Sequence, residues 1–314
     1  MTQQRTLTPR AWTELLILST LWGASFLSIR VALDEIGPFT VVLHRVFWAM
    51  LVLWAVVLVR GARVPRDASV WIGFLGMGLL NNVIPFSLMA WGQLHIETGL
   101  TSILNAATAI WGVIIAALFM ADERLTLRKA LGVGLGFLGV ATAIGLSALA
   151  ALDLRSLAQL AVIGGTVSYA FAGVWARRFL GGLPSDVAAA GMLTGSTLVM
   201  VPLALTFEGM PSFDLAPRTI AAIGYYAVFA TAVAYLLYYR VLEMAGSGNT
   251  MICTLLIAPI AILLGTLFLG ETLRPQAYAG FALLAVGLLV LNGRIGPRKA
   301  RSTAKDVAQA PRGG

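Results

Sequence analysis

Ten apolar runs follow one another along this chain, each long enough for a helix of about 20 residues that could cross a bilayer. Charged, proline and glycine positions punctuate them at 13–33, 38–59, 70–92, 98–120, 127–150, 157–179, 186–207, 218–240, 249–269 and 275–294. A helix that is apolar all round must be covered all round. Of 314 residues, 59% are hydrophobic and 11% charged, against about 25% charged in soluble domains. That leaves too little polar surface to coat ten helices in water. The expected fold is an all-α polytopic membrane protein with lipid as its outer solvent. Arg5 and Arg10 before the first run resemble a signal peptide, but nine further runs of equal apolarity make it a first membrane helix.

Charge placement gives the expected orientation. With both termini cytoplasmic, 17 of the 22 Lys and Arg fall on inner segments and 4 on outer ones, with Arg45 inside a span. Cytoplasmic loops carry such an excess, and the alternation requires an even number of spans. The same scatter explains the net charge of +8 better than nucleic-acid binding, which gathers basic residues on one face. The basic segment 295–314 is expected to be a disordered cytoplasmic tail.

The chain repeats itself. A shift of 148 residues superimposes Leu94 on Leu242, Glu123 on Glu271, Leu125 on Leu273, Gly132 on Gly280 and Gly139 on Gly287. The turn "MADERLTLRKALG" thereby meets "FLGETLRPQAYAG". Each turn joins the fourth and fifth helices of a five-helix unit. Five is odd, so the second unit enters the membrane inverted, and its turn loses the basic residues Arg128 and Lys129 of the first. The expected units are 13–150 and 157–294, two inverted five-helix repeats around a central cavity. Inverted repeats are the architecture of alternating-access carriers.

These features resemble the EamA-type branch of the drug/metabolite transporter superfamily. "ALFMADERLTLRKALGVGLGFLGVATA" and "GTLFLGETLRPQAYAGFALLAVGLLVL" look like the ends of its two repeats. "LWGASFLSIRVAL" is similar to its first helix, and "VLHRVFWAM" to the Arg-aromatic element of its second. "LIAPIAILLG" carries the helix proline Pro259, whereas the first repeat has Trp111 at the matching place. The resemblance implies a ten-helix exporter in the cell (inner) membrane, similar to bacterial aromatic amino-acid and metabolite exporters.

Several residues stand out as candidate solute contacts. Asn81 and Asn82 sit mid-helix, one turn before Pro85, which frees a backbone carbonyl. Amides in hydrocarbon need partners, so the pair either lines a cavity or bonds between helices. Asn105 offers a third amide. Trp22, Trp111 and Tyr169 fall near span centres, where interfacial belts do not explain them. They either pack or wall an aromatic pocket, and Tyr235 adds a hydroxyl. His44 and Arg45 lie two turns into the second span. Arg45 either snorkels or faces the cavity and attracts a carboxylate. Glu123 and Glu271, at helix ends, are expected to cap helix starts and pair with nearby Arg.

Other chemistries find little support. Gly134-Leu135-Gly136-Phe137-Leu138-Gly139 fits G-x-G-x-x-G, but within a span and without a strand it serves packing, as does the G-x-x-x-G of Gly132 and Gly136. The single cysteine, Cys253, permits no intrachain disulfide, and His44 and His95 have no metal-ligand spacing. No metal or cofactor and no catalytic residue is expected. A membrane-embedded enzyme would need clustered nucleophiles, ligands or an acid pair. Midspan Asp and Glu are absent, which argues against a cationic-drug exporter, and a lone Arg45 argues against multiply charged solutes. The expected solute is a small neutral or zwitterionic metabolite, foremost an amino acid with an aromatic or apolar side chain. The alternative is export of other small metabolites or drugs. The partners are solute and lipid bilayer, with no nucleic acid, and a monomer is the expected state.

Overall fold

The structure, a computed structural model, describes residues 7–96, 98–145, 156–212, 214–269 and 275–291. Glu271, the tail 295–314 and the C-terminal ends of the expected spans 127–150 and 275–294 lie outside the described residues. All regular structure among the described residues is helical. We label the helices α1 (Pro9–Leu33), α2 (Pro38–Val59), α3 (Ala68–Gly92), α4 (Thr98–Ala106), α5 (Thr108–Phe119), α6 (Leu127–Ile144), α7 (Leu157–Phe179), α8 (Ser185–Phe207), α9 (Pro217–Ala245), α10 (Ser247–Thr250), α11 (Cys253–Leu269) and α12 (Pro275–Leu291). Seven helical stretches among the described residues are long and apolar enough to cross a membrane: α1, α2, α3, α7, α8, α9 and Ser247–Leu264. Ile103–Phe119 and Pro275–Leu291 are shorter apolar helices.

Local chemistry sets the helix starts. Pro9 and Pro38 occupy first-turn positions, where a missing N–H costs nothing. Thr8, Asp67 and Thr126 accept backbone N–H groups of the helices that follow them. Three other starts are capped from a distance. Glu208, after α8, accepts from Phe39 N and Thr40 N at 2.9 and 2.8 Å. Glu35, after α1, accepts from Ala216 N at 3.0 Å and from the Thr219 hydroxyl. Glu123, after α5, accepts from Ser247 N and Gly248 N at 2.7 and 2.8 Å. A carboxylate at a helix N-terminus satisfies orphan donors and meets the positive end of the dipole. Each of these three reaches from one half of the chain into the other.

Two helix pairs related by the 148-residue shift pack against each other, α2 on α8 and α6 on α12. Both run antiparallel. On the first pair, Arg60 meets Asp186 at 2.9 Å, Trp54 Nε1 donates to Thr194 Oγ1 at 2.9 Å, and Phe39 and Thr40 meet Glu208 at the other end. On the second, a Cβ on Gly132 would stand 2.9 Å from Gly287 O, and one on Gly139 2.8 Å from Gly280 O. The glycines let the two backbones touch. Gly134 of the G-x-G-x-x-G string has open space beside it.

Two expected spans are not continuous. The run 98–120 breaks at Ala107, between α4 and α5, where Ala107 N bonds back to Leu104 O in a tightened turn. The run 249–269 breaks at Met251–Ile252, where Ile252 N bonds to Asn249 O in the same way. Two other helices change register inside. Leu79–Val83 of α3 and Tyr225–Val233 of α9 are π-helical, and the 148 shift carries the first onto Ala227–Thr231, inside the second. A π turn widens the helix and leaves carbonyls to be satisfied from the side. Ser168 of α7 donates to Leu80 O at 2.7 Å. Trp22 Nε1 donates to Ala230 O at 3.0 Å.

Candidate functional site

The π turn of α3 and the two helix breaks border one cavity. Both halves of the chain line it. On α1 the lining runs from Trp22 to Ile29, and on α2 from Val41 to Arg45. Both stretches lie in the half of the molecule nearer the Asp34–Gly37 turn. On α3 it extends from Asn81 through Phe86 to Gln93, toward the same end. The second half contributes Tyr169, Tyr235, Tyr238 and residues Met251 to Ile257.

The opposite end is closed by ion pairs that join the halves. Arg240 binds Glu14 at 2.5 Å, and Arg60 binds Asp186. Arg177 of α7 binds Glu123 at 2.5 Å and Asp122 at 2.7 Å. The carboxylates Glu14, Glu123 and Asp186 are buried, while Arg60 and Arg240 reach out to the surface. The expectation that Glu123 caps a helix start and pairs with an arginine holds.

Within the cavity wall the polar groups form a connected set. Arg45 is 5% exposed. Its Nε donates to Thr231 Oγ1 at 2.9 Å, one Nη to Ala230 O at 3.3 Å, and its guanidinium lies 4.0 Å over the Phe86 ring. Asn81 Nδ2 donates to the Tyr235 hydroxyl at 3.1 Å, and that hydroxyl donates to Asn82 Oδ1. Asn82 Nδ2 donates to Ser196 Oγ at 2.7 Å. Trp22 contacts the Tyr235 and Tyr238 rings, at centroid distances of 6.3 and 6.1 Å. Tyr169 meets Phe86 edge-on.

Of the nine residues singled out from sequence, Trp22, Arg45, Asn81, Asn105, Tyr169 and Tyr235 come together on this wall. Asn82 stands behind it, its amide spent on Ser196 and Tyr235. His44 faces Trp48 instead, accepting the indole N–H at Nδ1 at 3.0 Å. Trp111 is half-buried on α5 and does not line the cavity. Arg45 does not snorkel, because the freed Ala230 carbonyl and Thr231 give its charge polar partners inside.

Sequence reasoning missed Phe86 and Thr231, which orient Arg45, and Gln93 and Thr108. Among the described residues, Gln93 Oε1, Thr108 Oγ1 and the Tyr238 hydroxyl are buried without a hydrogen-bond partner, and all three residues line the cavity. Gln93 ends its helix like any solvated residue, and only the fold turns it inward. No group of three or more His, Cys, Asp or Glu able to hold a metal occurs among the described residues. A small, mainly apolar solute with a few hydrogen-bonding groups is what this chamber can enclose.

The sequence profile of the EamA-like transporter family matches twice, over residues 12–145 and 156–293. The chain is 27% identical over 305 residues to a probable terminal-alkyne amino-acid exporter of Streptantibioticus cattleyicolor, covering 95% of this chain and 98% of that one. It is 24% identical to an uncharacterized transporter of Archaeoglobus fulgidus, covering 90% and 98%. It is 23% identical to the uncharacterized inner membrane transporter YedA of Escherichia coli K12, covering 91% and 92%. A solved crystal structure has the same fold, with a TM-score of 0.76 at 17% identity, covering 93% of this chain and 100% of the other. With the family's sequence present twice and helices suited to a bilayer, this chain belongs to the EamA-like transporter family and is a multi-pass membrane transporter.

Proposed function

We propose that the protein exports small metabolites, foremost amino acids with aromatic or apolar side chains, by alternating access. The observation that carries this reading is the cavity, built from both halves and walled by Trp22, Tyr169 and Tyr235, with Asn81, Asn105 and Arg45 as sparse polar groups. Aromatic walls bury an apolar side chain, and the amides, hydroxyls and guanidinium take the polar end. Solute leaves through the Asp34–Gly37 face once the ion-paired face has closed behind it.

The architecture proposed for this cycle is ten spans in two inverted repeats, 13–150 and 157–294. Three observations support it: the 148-residue shift, the antiparallel crossing of shift-related helices, and π turns at matching places. Lys/Arg placement supports cytoplasmic termini, with the tail 295–314 inside the cell. The name of the inner membrane transporter of Escherichia coli supports an inner-membrane site, and that of the Streptantibioticus exporter supports amino acids. Counterflow in proteoliposomes tests the reading. Unlabelled phenylalanine or leucine on one side should drive saturable uptake of its labelled form, and Trp22→Ala should weaken it. Absence of saturable flux for every amino acid would overturn the amino-acid assignment, and flux of other metabolites or drugs would replace it.

A further inference from the structure

Arg45 is a buried cation with only neutral partners. Thr231, the Ala230 carbonyl and the Phe86 ring surround it. No carboxylate lines the cavity, and no ion pair to Arg45 occurs among the described residues. The buried carboxylates Glu14, Glu123 and Asp186, in contrast, each have an arginine within 2.5 to 2.9 Å. A guanidinium stays charged in any protein environment. A charge held away from water is costly until an opposite charge joins it. The missing anion is therefore to be supplied by whatever enters.

Geometry narrows that anion. The guanidinium has five N–H donors in one plane. Nε and one Nη are engaged by Thr231 and Ala230. Phe86 covers one face and fixes the plane, which leaves edge donors for an incoming group. A carboxylate accepts such donors in the same plane, side by side. For an ammonium the lining offers no carboxylate. The other polar groups that line the cavity, among them Asn81, Asn105, Gln93, Thr108 and the Tyr238 hydroxyl, are all neutral.

We propose that Arg45 binds the carboxylate of the transported solute, and that the cavity selects a monocarboxylate with an apolar body for which the α-ammonium is dispensable. This rests on the cavity being the transport site and makes its charge selectivity explicit. An amino acid is then recognised by its acid end and its side chain.

Three probes of one shape separate the groups: phenylalanine, phenylalaninamide and 3-phenylpropionate. Binding to the purified full-length protein in detergent is measured by calorimetry, and flux in proteoliposomes. Phenylalanine and 3-phenylpropionate should bind within threefold of each other, with the amide at least tenfold weaker. Arg45→Gln should weaken both acids at least tenfold and change the amide less than threefold. Arg45→Lys, which keeps the charge and loses the planar fork, should fall between. The wild-type series needs no variant, so it decides even if Arg45→Gln fails to fold. An amide that binds as tightly as the acids, acids indifferent to Arg45→Gln, or an acid that binds only with its ammonium would overturn the proposal while leaving carriage intact. Binding of none of the three would overturn both the proposal and the amino-acid reading.

Discussion

Glu123→Gln should destabilise the protein more than any other isosteric change at the closed end. The carboxylate accepts Ser247 N at 2.7 Å, Gly248 N at 2.8 Å, the Ser247 hydroxyl at 3.3 Å and Arg177 at 2.5 Å. Its side chain is 3% exposed. Glutamine keeps the volume and one oxygen, but its NH₂ must then face an N–H group or a guanidinium. Hydrogen bonds to charged groups contribute about 1.5–3 kcal/mol each. Breaking a buried pair from one side costs about 3–5 kcal/mol. Asp122 remains beside Arg177 at 2.7 Å and offsets part of the loss, so we expect about 3 kcal/mol. At roughly 2–4 °C per kcal/mol for a chain of this order of size, melting followed by tryptophan fluorescence in detergent should fall by about 6–12 °C. Arg177→Gln should cost a comparable amount. The double variant should cost less than the sum by about 2 kcal/mol, because the two side chains act as one unit. Melting of Glu123→Gln within about 1 °C of the parent would refute the reasoning.

Tyr235→Phe removes the hydroxyl that joins Asn81 to Asn82 and should cost about 1–3 kcal/mol in denaturant unfolding. It should also lower flux, because the π turn that presents Asn81 loses its tie to α9. Gly287→Ala places a methyl 2.7 Å from Gly136 N and 2.8 Å from Gly132 O. No side chain there can give way, so a loss of about 1–3 kcal/mol is expected, with Gly134→Ala as a neutral control in melting. The Glu35 carboxyl is held below the ordinary carboxylate range by the Thr219 hydroxyl, then by Ala216 N–H and Arg218. A depressed carboxyl stabilises above its unfolded pKa and loses that effect as pH falls through the folded value. The melting difference between the parent and Glu35→Gln should therefore stay level from neutral pH downward and shrink only below about pH 4.

The long elements could be read from sequence because composition alone sets them. The runs 38–59 and 157–179 match α2 and α7 end to end, and 13–33 and 70–92 differ from α1 and α3 only at their starts. Proline and charge bound them, and those signals are local. The inner detail was hidden for a physical reason. In a bilayer a lipid-facing flank and a protein-facing flank are equally apolar, so helical periodicity does not tell them apart. Trp111 and Trp22 look alike in sequence, yet one leaves the cavity and the other walls it. His44 and Arg45 are neighbours, and about 100° of helical rotation sends one to Trp48 and the other to Phe86. Pro85 hinted at a loosened α3, but α9 carries the longer π turn with no proline in it. Its register depends on Trp22 and Arg45, which are roughly two hundred residues away in sequence.

The long-range caps have a consequence for biosynthesis. Glu208 closes the start of α2, Glu35 that of α9 and Glu123 that of α10, so each half of the polypeptide holds stoppers for the other. A nascent first half must wait in the membrane with the start of α2 unsealed until Phe207 and Glu208 have emerged. A gene cut between the halves should yield fragments that survive only when made together, each acting as the other's chaperone.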